Sequence, residues 1–241
     1  MKPTPSITIW KDAEALSTAA AYFFVDACKR SILEKGSFIV ALSGGSTPKR
    51  LYQLLATPAF GKNIDWTRVF LFWSDERFVP HTDSESNYRM VKESLLDHID
   101  IPRDNIFAIP TDGTPKDDAK KYEAAIRACF KKKAAFDWLL LGTGDDGHTA
   151  SLFPGTKVLE ENKKLVAAVW VEKKQTWRIS FTYSLINKAK HVIFLVAGKE
   201  KSAVVSHILR GEKPPMPAQL VSPAKGLLYW MLDEAAAAGL S

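Results

Sequence analysis

Residues 142–155, GTGDDGHTASLFPG, set Asp145, Asp146 and His148 among glycines directly after a short apolar run. Imidazole both accepts and releases a proton near neutral pH, so His148 is a candidate general base. Asp146, two residues earlier, is placed either to orient that ring or to contact a substrate directly. Gly142, Gly144 and Gly147 allow the sharp turns that such a constellation needs. HExxH and cysteine-rich ligand spacings are absent, so no metal is expected; no cofactor is expected either.

A second segment, ALSGGSTPKRLY (41–52), reads as a strand end, two glycines, two hydroxyls and the start of a helix. Gly44 and Gly45 let backbone amides turn toward an anion, Ser46 and Thr47 add hydroxyl donors, and Pro48 suits the first helical position. The spacing matches neither a P-loop nor GxGxxG, so no nucleotide is implied. LSGGS also occurs in the signature loop of ABC transporters, but the GxxxxGK[ST] that would accompany it is missing. Arg77, Arg178, Lys199 and Lys201 each fall close to a predicted strand end, within reach of one phosphate. Jointly they favour a phosphorylated ligand over scattered surface charge. Ser43, Ser46 and Ser151 lack the GxSxG elbow of a serine nucleophile.

The elements that must hold these groups alternate along the chain. SITIW (6–10) is a short alternating strand; Asp12 then caps a helical pattern carrying Leu16, Ala20, Phe23, Ala27 and Leu33, with Gly36 placed to end it. FIVAL (38–42), VFLFW (69–73), DWLLLG (137–142) and HVIFLVAG (191–198) are continuous apolar runs, as strands buried on both faces should be. Helical stretches are expected at 48–56, 86–98, 116–132 and 199–209, with irregular chain at ERFVPHTDSESN and GEKPPMPAQLVSPAKG. This grammar gives an α/β fold: a mostly parallel sheet with helices on both faces, a Rossmann-like three-layer architecture with a small elaboration near 160–180. One domain spanning 1–241 is expected. In such sheets ligands bind beyond the carboxyl ends of the strands, where SGGSTP, SDER, GTGDDGHTAS and GKEKS all fall.

Composition narrows the function classes. The 241 residues are 46% hydrophobic and 25% charged, ordinary for a globular enzyme-sized domain. No apolar run approaches the ~18–20 residues of a membrane span, and the first residues lack a secretion-signal pattern. Cys28 and Cys129 have no framework spacing and read as reduced thiols on helices, which points to the cytoplasm. A net charge of +6 suits an anionic small molecule or nucleic acid. The basic run Lys131-Lys132-Lys133 ends the helix expected from Pro115 to about Lys132, where cations complement the dipole. With no C2H2, RNP or helix-turn-helix pattern, neither a nucleic-acid nor a membrane partner is expected, and a monomer suffices.

SGGSTP, SDERFVPHTDSESN, GTGDDGHTASLFPG, WRIS and GKEK occur in this order along the chain. In this the sequence resembles the 6-phosphogluconolactonase family, from the first strand to LYWMLDEAAAAG. It departs at Thr143, where the family often has methionine, and at Asp145, a variable position. The resemblance implies hydrolysis of 6-phospho-D-glucono-1,5-lactone in the oxidative pentose phosphate pathway. His148 would be the general base, with Asp146 orienting it or holding a substrate hydroxyl. Glycine-loop amides or Arg178 would serve the oxyanion. Gly44, Gly45, Ser46, Thr47, Arg178 and Lys201 would hold the phosphate, with Arg77 nearby and Asp75 on sugar hydroxyls. The related glucosamine-6-phosphate deaminases also carry a DGH loop, but follow it with a catalytic glutamate. Phe153 stands at that place here, and a phenyl ring transfers no protons. A non-catalytic sugar-phosphate sensor is the remaining alternative.

Overall fold

The computed structural model describes residues 4–130 and 135–240. Its strands are β1 (Ser6–Trp10), β2 (Phe38–Leu42), β3 (Val69–Trp73), β4 (Asp75–Arg77), β5 (Ile106–Phe107), β6 (Trp138–Leu141), β7 (Val166–Val171), β8 (Thr176–Phe181), β9 (His191–Val196) and β10 (Leu227–Asp233). The helices are α1 (Ala13–Lys35), α2 (Ser46–Leu55), α3 (Pro58–Gly61), α4 (Asn87–Ser94), α5 (Pro115–Phe130), α6 (Tyr183–Ile186), α7 (Ser202–Leu209) and α8 (Glu234–Ala237).

Seven strands form one parallel sheet in the order β1-β10-β9-β6-β2-β3-β5. The pleat sends Phe38 and Trp138 toward α1, where Phe24 packs edge-on against both. Phe72 lies on the opposite face against Phe107, Tyr122 of α5 and Phe136. Helices therefore cover both faces, as the continuous apolar runs require. Asp12 caps α1 by accepting from Ala15 N at 2.8 Å, and Gly36 ends it in the left-handed conformation. Leu33 departs from the expected pattern, since it is 88% exposed; the buried stripe of α1 runs through Leu16, Ala20, Phe24 and Cys28. Burial pushes the Cys28 thiol up to about 12, so it stays protonated in the core.

The elaboration expected near 160–180 is a three-stranded antiparallel sheet, β4-β8-β7. It recruits residues 75–77, directly after β3, so SDER is partly strand rather than loop. A three-residue charged strand carries no periodic signal, and its partner lies about a hundred positions away in sequence. The two-residue β5 carries no sequence signal of its own, whereas β10 coincides with the apolar run 227–232. Leu95 leaves helical geometry, so the helix expected over 86–98 stops at Ser94 and continues as a 3-10 turn over Leu96–His98. Likewise α2 begins at Ser46 rather than Pro48, and α7 at Ser202 after a 3-10 turn over Lys199–Lys201. The Lys131–Lys133 run lies outside the described residues.

Sheet order locates the site. From β2 the chain steps outward through β3 to β5, whereas from β6 it steps the other way through β9 to β10. The reversal falls between the neighbours β2 and β6, the crevice position at which α/β sheets bind ligands. SGGSTP leaves β2 and GTGDDGH leaves β6 at that point.

Candidate active site

A cleft of about 270 Å³ opens there, lined by Ser43, Gly44, Gly45, Asp75, Arg77, Asn87, Gly142, Thr143, Gly144, His148, Ala150, Arg178 and Lys201. Two larger grooves, of about 500 and 600 Å³, lie along α5 and β7; both carry charged side chains, but neither is lined by the Gly44–Gly45 turn, His148 or Arg178.

His148 Nδ1 lies 2.6 Å from Asp146 Oδ1, and the same oxygen accepts from His148 N at 3.2 Å. An ionised Asp146 makes Nδ1 the donor and leaves Nε2 with the free lone pair. Burial raises the Asp146 carboxyl, but the hydrogen bond and charge of His148 outweigh it and hold the group below its ordinary value. Phe153 stacks on the imidazole at 4.0 Å between ring centroids, so the ring is clamped by an edge partner and a face partner. Gly144 passes so close that a Cβ there would run into His148 Nδ1 and Cε1. The amides of Gly144 and Gly147 donate to His148 O and Gly144 O at 3.0 and 2.9 Å. Both amides shape the loop and are not available as oxyanion donors.

Three cations, Arg77, Arg178 and Lys201, line the same cleft as the imidazole. Arg77 and Arg178 are directly paired across β4 and β8. Arg178 is 9% exposed, and its guanidinium makes no hydrogen bond or ion pair among the described residues. Burial lowers its pKa and Asp75 raises it; a guanidinium stays charged regardless. Arg77 donates to Glu85 O through Nη1, while its buried Nε has no partner. Two like charges side by side with unmet donors are a cost that an anion would offset. Lys201 reaches the same cleft, its Nζ 2.6 Å from Asp145 Oδ1.

Asp75 is buried and lines the cleft; its Oδ2 accepts from Ser151 Oγ at 2.7 Å. Asn87 Nδ2 donates to Asp75 O at 2.9 Å and lies against Gly44, where a Cβ would strike the amide. The buried Glu76 sets this up. It accepts from Arg77 N, Asn87 N, Tyr88 N and Ser86 Oγ at 2.7–3.0 Å, pinning the start of α4 to β4. Burial raises its carboxyl against the pull of these donors.

The structure thus brings together Gly44, Gly45, Asp75, Arg77, His148, Arg178 and Lys201, with Asp146 behind the imidazole. Ser46 and Thr47 do not line the cleft; they form the first turn of α2, with Ser46 exposed. Lys199 is exposed and also lies outside it. The helix start has no side-chain cap, and the amides of Gly44, Gly45 and Ser46 make no hydrogen bond among the described residues. Sequence reading missed Asn87 and Glu76, and weighed Ser151 only as a nucleophile. The signal available was the block SDER…SESN, whose two ends turn out to bond one another. Among the described residues there is no cluster of metal-ligating side chains, and no helix is long and apolar enough to cross a membrane.

The sequence matches the family model described as glucosamine-6-phosphate isomerases/6-phosphogluconolactonase over residues 11–230. It is 39% identical to a 6-phosphogluconolactonase of Synechocystis sp., covering 98% of each chain. Identity to the 6-phosphogluconolactonase of Haemophilus influenzae is 40%, over 82% of this chain and 85% of that one. The solved structure of 6-phosphogluconolactonase from Trypanosoma cruzi superposes with a TM-score of 0.90 at 30% identity, covering 100% of this chain and 98% of the other. The chain belongs to the glucosamine-6-phosphate isomerase/6-phosphogluconolactonase family.

Proposed function

We propose that this protein hydrolyses 6-phospho-D-glucono-1,5-lactone to 6-phosphogluconate, in the oxidative pentose phosphate pathway. One observation carries the reading within the family: His148 is paired with Asp146 and stacked on Phe153, where the deaminases place an acid. The cleft therefore has a base for water but no second proton-transfer group at that position.

In this reading the amides of Gly44 and Gly45, with Arg178 and Lys201, take the phosphate, and Arg77 lies beside them. Ser46 and Thr47 contribute through the start of α2, whose unpaired N–H groups favour an anion. Asp75, held by Ser151, accepts from sugar hydroxyls. His148 Nε2 takes a proton from water as its oxygen attacks the ring carbonyl. The tetrahedral intermediate then collapses, the bond from carbonyl carbon to ring oxygen breaks, and the imidazolium returns the proton to that oxygen. Asp146 keeps the tautomer and stabilises the imidazolium. The reading is tested by offering both family substrates. Accelerated lactone hydrolysis with no ammonia from glucosamine-6-phosphate is expected, and ammonia release would contradict it.

The close approach at Gly144 gives a sharper expectation. Gly144→Ala displaces the imidazole, and misplacement of a reacting group by about 1 Å costs about 10²-fold in rate. We expect that loss in kcat with thermal unfolding little changed; wild-type kcat would show that the ring's present position is not needed.

A further inference from the structure

The two adjacent aspartates of the DGH loop have different partners. Asp146 is committed to His148, whereas Asp145 Oδ1 holds Lys201 Nζ at 2.6 Å. Lys201, at the start of α7, lines the cleft and its side chain is only 23% exposed. Asp145 is outside the lining set, at the rim, with its side chain 78% exposed. The loop is anchored around it by Gly144 N to His148 O, Gly147 N to Gly144 O and Ala218 N to Gly147 O, so the carboxylate is presented from a fixed backbone.

An ion pair this exposed contributes little to folding. Its effect on an incoming dianion is larger. A carboxylate a few ångströms from the bound phosphate repels it and also neutralises one of the cations that should receive it. We propose that Asp145 is a built-in competitor for Lys201, a counter-charge that weakens phosphate binding and thereby sets KM and eases product departure. The proposal rests on reading this cleft as a phosphate site. The opposite role, a tether that positions Lys201 for phosphate, predicts the opposite sign.

The test measures inorganic phosphate binding by calorimetry and lactone kinetics for wild type, Asp145→Asn, Asp145→Glu and Asp145→Asn in a Lys201→Met background. Asp145→Asn should bind phosphate about 3- to 10-fold more tightly at low salt, with the gain shrinking as salt screens the pair. KM should fall by a similar factor while kcat moves less, Asp145→Glu should behave as wild type, and the gain should shrink without Lys201. Phosphate affinity unchanged or weakened in Asp145→Asn overturns the proposal, as does a protein that binds no phosphate in any variant. A phosphate shift of the expected sign without lactone turnover by wild type would remove the lactonase reading and leave this one standing.

Discussion

Replacing His148 with alanine is expected to lower kcat by about 10²- to 10⁴-fold, the usual contribution of a positioned general base. KM should change little, because the cations proposed to bind phosphate come from β4, β8 and the turn before α7 rather than from the DGH loop. The size of the effect follows from how completely the ring is held: Asp146 fixes its edge at 2.6 Å and Phe153 its face at 4.0 Å. Because Asp146 is held below the ordinary carboxylate range, it stays ionised while the imidazole changes protonation, so the tautomer is preserved. The lactone already hydrolyses on its own in water, so in this account a base, bound phosphate and a shaped cleft suffice without a covalent intermediate. Initial rates corrected for spontaneous decay measure this; turnover near wild type in His148→Ala would remove the assignment.

The second large effect is expected at Arg178. Its buried guanidinium has no acceptor among the described residues and sits beside Arg77. A charge-assisted hydrogen bond is worth about 1.5–3 kcal/mol, so Arg178→Ala should raise KM by about 10- to 100-fold with a smaller change in kcat. Arg178→Lys should recover only part of this, since an ammonium lacks the planar fork. A steady-state comparison of the variants separates the roles. A fall in kcat at constant KM would move Arg178 from the phosphate to the oxyanion, the role from which the Gly144 and Gly147 amides are excluded.

The positions of these residues were legible in sequence to differing degrees. Continuous apolar runs gave β2, β3, β6 and β9 within a residue or two at each end, because strands buried on both faces leave no polar interruptions. Loops after such strands carry ligand chemistry in this architecture, so His148, Asp146, Gly44 and Gly45 followed from local pattern. What stayed hidden depends on long-range pairing. The strand β4 is three charged residues whose identity comes from pairing with β8, and only that pairing sets Arg77 beside Arg178. Glu76 and Asn87 matter because α4 folds back on β4, a contact with no sequence period. Ser46 and Thr47 show the converse limit. Their residue types fit a phosphate loop, yet the helix begins at Ser46, and both residues belong to its first turn and not to the cleft lining.

The most direct test of the account follows the decay of freshly generated 6-phosphogluconolactone without protein, with wild type and with His148→Ala. Acceleration by wild type that is largely lost in the variant is the predicted result. No acceleration by wild type, together with tight binding of 6-phosphogluconate, would contradict it and identify the cleft as a sugar-phosphate sensor.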